Sequence, residues 1–544
     1  MKRILFILVL LASSCTKHPS AEKVVFGKIW TGDDKQSVVE GLAINGDTVV
    51  ATGTRSSIQQ WVGEGTTVTE VPSGGLVVPG FIDSHTHFVT GGLALLSIQL
   101  RDAKTKADFI NRFKAYASRQ APGAWIMGGD WDHMNWGGEL PTRDWIDSVT
   151  KNNPVWVNRL DGHMSLANTA AMKAAGLTDK IGDIPGGTVV RDKKGRATGV
   201  FKDNAQEWIN PKVPELSEAM QDKALDTAMR YVASKGVTST HNMYGYTKAF
   251  ERARDAGRMI TRIYAVENLS DWRNLKAKVE QQGQGDKWLR YGGLKGFVDG
   301  SLGSHTAAFF KPFTDVPTDS GFFITPEKDL YEWASAADKA GLQVMIHAIG
   351  DKAIHTLLNI FERIEKENGP RDRRFRIEHA QHLSPSDIER FKSLGVIASM
   401  QPYHAIDDGR WAEQVIGHER SKTTYAFGSL MKAGARVAFG SDWFVAPPIP
   451  LEGIYAAVTR RTLDDKNPGG WIPEEKITVE QALKAYTIDA AYASFEEKSK
   501  GSLERGKLAD MVILDQDILT LAPEQIRDVK VQRTMVGGVW VWPR

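Results

Sequence analysis

Apolar residues recur along this chain in short runs, and a polar residue of metal-ligand type closes many of them. The first is Val77-Val78-Pro79-Gly80-Phe81-Ile82-Asp83-Ser84-His85-Thr86-His87. Later runs end in Lys295 after Gly293-Leu294, in His347 after Val344-Met345-Ile346, in His379 after Phe375 to Glu378, and in Asp442 after Val437-Ala438-Phe439. Taken with the apolar stretches between them, the pattern predicts eight strands: 76–82, 237–241, 259–266, 294–298, 343–346, 375–377, 396–400 and 436–439. Eight is the number of a parallel α/β barrel, whose active centre is built at the carboxyl ends of its strands. Helical segments separate the later strands. Residues 327–339 end at Gly341, a natural C-terminal cap, and Ser384-Pro385-Ser386-Asp387 opens a further helix with a capping-box pattern.

The two ends of the chain read differently. Val24 to Trp30, Gly41 to Ile44 and Thr48 to Ala51 are strand-like and broken at Asn45-Gly46-Asp47; near the other end Ala509 to Leu514, Val529 to Val536 and Val539 to Trp542 are strand-like again, with Gly537-Gly538 as a turn. Short strands of this kind need partners. The expected fold is therefore of the α/β class: a (β/α)8 TIM barrel over residues 76–499, with a small β-sandwich domain built from both termini, 23–75 and 500–544. The interval of about 90–235 is too long for one barrel helix. An insertion after strand 1 lands over the active face, so it is expected to be a substrate-covering lobe.

Composition changes little in this picture. The 544 residues are 42% hydrophobic and 25% charged, ordinary for a folded soluble body, and a net charge of +2 gives no reason to expect nucleic acid as partner. Sixteen tryptophans suit pocket and core lining. Met1-Lys2-Arg3, the apolar run Ile4 to Ala12 and Ser13-Ser14-Cys15 have the regions of a secretory signal. Cys15, the only cysteine, stands where a bacterial lipoprotein box places its lipidated residue, although Ala12 occupies the position where Leu is commonest. The expectation is a signal peptide over 1–15, a tether over 16–22, and a body held by lipid on the bacterial cell envelope without disulfides. Partners are then a small-molecule substrate and the membrane, with room for a homo-oligomer.

In an extended strand residues i and i+2 project to the same side, so His85 and His87 form half of a metal site. Histidine nitrogen and carboxylate oxygen suit Zn²⁺, and a divalent metal lowers the pKa of bound water from about 15.7 to about 7, giving hydroxide for attack on an amide or ester. Lys295 is the odd member. Its ammonium would repel a cation, so it is either deprotonated or converted by CO₂ to a carbamate.

His85-Thr86-His87, Arg159-Leu160-Asp161-Gly162-His163, His347-Ala348-Ile349-Gly350-Asp351, Glu378-His379-Ala380-Gln381, Gln401-Pro402-Tyr403-His404, Gly440-Ser441-Asp442-Trp443 and Gly506-Lys507-Leu508-Ala509-Asp510 together resemble the amidohydrolase superfamily. The likeness is to its YtcJ-like branch, which includes N-substituted formamide deformylases. The resemblance implies two Zn²⁺ bridged by carboxylated Lys295, one held by His85, His87 and Asp442, the other by His347 and His379, with Asp442 as proton shuttle. It implies hydrolysis of a C–N bond in a small amide, formamide or N-acyl substrate; an esterase or lactonase using the same centre, and a lipoprotein that binds metal or ligand without turnover, are the rival functions. Asp161, His163, His404, His305 and Trp131 are candidate substrate residues, and His241 and Asp299 candidates for orienting the ligands. His305 stands where the branch usually has Arg, and Phe444 where it has Pro.

Overall fold

The structure is a computed structural model, and it describes residues 20–159, 164–184 and 187–543. The expected signal peptide with Cys15, and the candidates Asp161 and His163, lie outside the described residues. The tether expected through Glu22 ends sooner. Ala21 is buried and already docked, its N–H donating to the Trp61 carbonyl (2.8 Å) and its carbonyl accepting from Thr66 Oγ1 (2.6 Å).

Eight parallel strands form the barrel: β1 Phe81–Thr86, β2 Val237–Asn242, β3 Arg262–Asn268, β4 Leu289–Phe297, β5 Gln343–Ala348, β6 Arg376–His379, β7 Ile397–Met400 and β8 Val437–Phe439. They pair in sequence order, each with the next. No ladder joins β8 to β1 among the described residues. That seam is closed instead just beyond β8, where the Asp442 N–H donates to the His85 carbonyl (2.8 Å) and the His87 N–H to the Trp443 carbonyl (2.6 Å). Gly440 makes the approach feasible, because a Cβ there would stand 2.6 Å from the His85 nitrogen.

One strand expected from the sequence is two. Leu76–Pro79 does not belong to the barrel; it pairs antiparallel with Met511–Leu514 in the terminal domain, and the barrel strand begins after Gly80. The chain changes sheets at this glycine because it is pressed onto β2, where a Cβ would meet Thr238 Oγ1 at 2.2 Å. The terminal strands form a single hydrogen-bonded sheet of eight, with a bulge between Phe26 and Ile29 that lets the first strand, Lys23–Trp30, pair with two successive neighbours on one side. Buried Arg262 on β3 reaches across to Asp510 with two hydrogen bonds (2.7 and 2.9 Å) and fastens barrel to sheet.

The lobe has a five-stranded sheet of its own, in the order 187–191, 197–203, 164–167, 155–159, 126–131, and its own core around Phe109, Phe113, Val155 and Leu166. The helix at Glu327–Lys339 forms with Gly341 in the left-handed region beyond it (φ 77°). The Ser384 capping box does not form. Residues 385–387 make a 3-10 turn instead, and the Ser384 hydroxyl caps nothing.

Candidate metal centre

Ligand atoms of His85, His379 and Asp442 lie within 4.8 Å of one another, all on buried residues at the carboxyl ends of β1, β6 and β8. His87, one residue past β1, puts Nε2 3.4 Å from Asp442 Oδ1, and His85 Nε2 is 3.5 Å from the same oxygen. The His347 ring, on β5, is 4.5 Å from the His379 ring, and Lys295 Nζ on β4 is 3.3 Å from His85 Nε2. The six residues at the ends of the apolar runs thus share one pocket.

The donor chemistry fits a divalent cation. His85 has Nδ1 against Glu378 Oε2 (2.6 Å), His379 has Nδ1 against Gln401 Oε1 (2.9 Å), and His347 has Nε2 against the Gly300 carbonyl (3.0 Å). Each acceptor fixes the proton on one ring nitrogen and leaves the other nitrogen free to ligate, and His85 Nε2 faces Lys295 and Asp442, the arrangement a metal-binding imidazole requires. Burial and the neighbouring Lys295 push His85 down to about 4 and His347 down to about 3, and burial holds His379 well below its ordinary value, so the rings are neutral. For Asp442 burial acts upward but is outweighed, first by the hydrogen bond with His87, and the carboxyl is held well below its ordinary value.

Lys295 is 2% exposed, and no carboxylate lies within 4.0 Å of Nζ among the described residues, so it is not a salt-bridge lysine. Burial pushes its ammonium down to about 8. A buried amine poised between neutral and charged, facing imidazole lone pairs, suits a role as ligand or as carbamate.

Beneath the ligands runs a network that reading the sequence missed. Arg376 on β6 is fully buried and donates to both oxygens of Glu378 (2.7 and 3.1 Å), to the Ser84 carbonyl (2.7 Å), to Ser399 Oγ (2.9 Å) and to His241 Nδ1 (2.9 Å). Burial alone would raise the Glu378 carboxyl, yet Arg376 and His85 hold it below its usual range, ionised to receive the His85 proton. His241 is therefore part of this network. The signal was present: Arg376 and Glu378 are i and i+2 on one strand and face the barrel axis together. Asp299 accepts from Ala308, Ile349 and Gly350 N–H groups (2.8 to 3.0 Å) and orders the loop after β5, while remaining 3.7 Å from His347 Nε2.

The other expected site residues divide. His404 sits in the helix Pro402–Asp408 just after β7, its Nε2 buried without a hydrogen-bond partner. Two candidates are corrected. Trp131 is fully buried in the lobe core, its indole donating to the Val157 carbonyl (2.9 Å), and has no face for a substrate. His305 has Nε2 engaged by Asp315 (2.9 Å) and its ring packed edge-on against Phe313, which makes it a loop residue. Three aromatic side chains line the mouth, of which the sequence singles out only Phe444: Tyr244 and Phe444 set their rings 5.8 and 6.2 Å from His87, and Phe297 sets its ring 5.4 Å from His347.

The chain resembles known proteins in sequence and in structure. The amidohydrolase family model matches residues 73–542. Protein LONG AFTER FAR-RED 3 of Arabidopsis thaliana is 39% identical, over 96% of this chain and 91% of its own length. The provisionally named amidohydrolase YtcJ of Bacillus subtilis is 30% identical over 95% and 98%, and the N-substituted formamide deformylase of Arthrobacter pascens 26% identical over 96% and 98%. Among solved structures, an uncharacterized metal-dependent hydrolase from Pyrococcus furiosus superimposes with a TM-score of 0.75 at 30% identity, over 92% of this chain and all of that one.

Proposed function

This chain belongs to the amidohydrolase family, in its YtcJ-like branch, and from that membership we propose that it cleaves a carbon–nitrogen bond in a small amide, formamide or N-acyl substrate. The observation that carries the reading is Asp442. A buried carboxylate kept ionised beside several imidazole lone pairs can take up and release a proton, a capacity that mere ligand capture does not need. The named activity of the formamide deformylase points the same way.

His85, His87, Asp442, His347 and His379 would hold the metal, proposed as two Zn²⁺ with carboxylated Lys295 between them. Bound there, a divalent cation supplies Lewis acidity and an activated water at neutral pH. The chain's own residues do the rest. Asp442 Oδ1, 3.4 Å from His87 Nε2, accepts the proton of the attacking water and returns it to the leaving nitrogen, which departs as neutral amine. Glu378 and Gln401 keep the rings of His85 and His379 in the tautomer that faces the pocket. His404 Nε2, buried and free, is placed to bind the substrate's polar group, and Tyr244, Phe297 and Phe444 narrow the mouth against bulk water. The proposed location is the cell envelope, with lipid on Cys15. Among the described residues no helix is long and apolar enough to cross a membrane.

Matched pairs of substrate differing only in the scissile atom, such as an N-benzyl amide and the benzyl ester of the same acid, test this function on zinc-loaded protein. The amide should be turned over in every pair that shows activity. Ester or lactone hydrolysis with inert amides would assign the centre to the other chemistry, and metal binding without turnover of either would make it a binding protein.

A further inference from the structure

At the foot of the barrel, opposite the metal centre, a cavity of about 110 Å³ opens between the starts of β4 and β5. Its inner wall is Tyr264 and Gln343, whose polar atoms are already engaged: the Tyr264 hydroxyl donates to Gln343 Oε1 (3.0 Å), and Gln343 Nε2 donates to the Arg374 and Ala493 carbonyls. The remaining walls present donors that are only partly engaged. Arg290 Nε is buried and has no hydrogen-bond partner, and no carboxylate lies within 4.0 Å of this guanidinium among the described residues. Arg290 Nη2 donates to Gln284 Oε1 (2.8 Å), which turns the Gln284 amide nitrogen inward, 3.5 Å from where a Gly292 Cβ would stand. Arg371 comes in from the far side. Its Nε is paired with Asp338 (3.0 Å) and its Nη2 donates to the Leu342 carbonyl, while Nη1 lies 3.7 Å from where a Gly341 Cβ would be. The one acid in the lining, Asp372, is held by Arg374 (3.0 Å).

A buried guanidinium N–H without an acceptor costs stability, and an unpaired cation raises that cost. The remedy that supplies both acceptors and charge is an anion. The volume is too small for a metabolite and sufficient for a single tetrahedral group, and glycines at 292 and 341 keep it open where side chains would fill it. We propose that this cavity is a binding site for a small inorganic oxyanion of the phosphate or sulfate class, held by Arg290, Arg371 and Gln284. The site is separate from the catalytic one and does not depend on what the enzyme hydrolyses. It lies on the same strands: Arg290 is the second residue of the β4 that carries Lys295, and Gln343 begins the β5 that carries His347. An anion here would brace those strands from below.

Sulfate is the probe, because it does not precipitate zinc, and it is titrated into zinc-loaded protein at constant ionic strength made up with chloride, read by calorimetry and by thermal unfolding. Wild type should show saturable binding with a rise in Tm, and Arg290→Gln should bind at least ten-fold more weakly with its turnover unchanged. Identical titrations of wild type and Arg290→Gln, or a response no greater than that to chloride, would overturn the site and leave the hydrolase reading intact. Glycerol phosphate should bind more weakly than sulfate, since its organic arm does not fit; equal affinity would overturn the assignment to a free inorganic ion. Should Arg290→Gln fail to fold, wild-type crystals soaked in selenate decide the matter. An anomalous peak within hydrogen-bonding distance of Arg290 Nε supports the site, and none there refutes it.

Discussion

Replacing Arg376 by Met keeps much of the side-chain volume and removes the guanidinium that joins β6 to β1, β2 and β7. The loss can be sized from the contacts. Arg376 is buried, its two short bonds to Glu378 are a fully desolvated ion pair, and its other donors satisfy Ser84, Ser399 and His241. Breaking a buried pair from one side leaves the other charge uncompensated and costs about 3–5 kcal/mol. For a cooperative unit of roughly 400 residues, an unfolding entropy near 2 cal/mol/K per residue converts this to a Tm lowered by about 3–6 °C. The assay is thermal unfolding of metal-free protein followed by tryptophan fluorescence, for which the chain carries sixteen reporters. Removing metal isolates the network from ligation. Arg376→Met combined with Glu378→Leu should regain at least half of the loss, because an apolar pair in place of a buried ion pair carries no stranded charge. A single variant within 1 °C of wild type, or a double variant worse than the sum of its parts, would refute the reasoning that this pair is a coupled, desolvated unit.

Three other outcomes are expected. Asp442→Asn should lower kcat by about 10²–10⁴-fold while the protein still folds, measured by turnover and circular dichroism together; activity above a tenth of wild type would remove Asp442 from proton transfer. His382, buried with Nδ1 on Thr424 and pushed by burial down to about 3, stays neutral in the folded protein while the unfolded chain takes up a proton near 6.5. Its stabilising contribution is therefore complete above that pH and falls as pH drops below it, by about 2 kcal/mol at pH 5, and His382→Gln should show a correspondingly flatter decline of Tm with acid; parallel curves would count against it. Cys15→Ala should abolish incorporation of labelled fatty acid and release the protein from the membrane fraction, and wild type that takes up no label would rule out the lipid anchor.

Much of the site was legible because strand geometry fixes side-chain direction. His85 and His87, two apart, had to share a side, and both reach Asp442. The apolar runs marked where barrel strands end, since parallel strands buried on both faces read as continuous hydrophobic segments. What was not legible depended on neighbours distant in sequence. The split at Gly80 follows from the pressure of Thr238, some 158 residues away. Trp131 and the mouth residue Phe444 are alike in composition, and only packing sends the first into the lobe core and the second to the rim. The ion pair of Arg376 with Glu378, and its reach to Ser84, Ser399 and His241, became visible only when the fold brought four strands together.

The central claim is that six residues from five strand ends form one hydrolytic metal centre with Lys295 at its middle, and metal analysis tests it most directly. Wild type and Lys295→Ala are expressed side by side with Zn²⁺ and bicarbonate, and metal per chain and amide turnover are measured before and after adding short-chain carboxylates. The account predicts two metals in wild type, loss of one metal and of most turnover in Lys295→Ala, and partial return of both when a carboxylate fills the vacated space. Unchanged metal content and turnover in Lys295→Ala would contradict it.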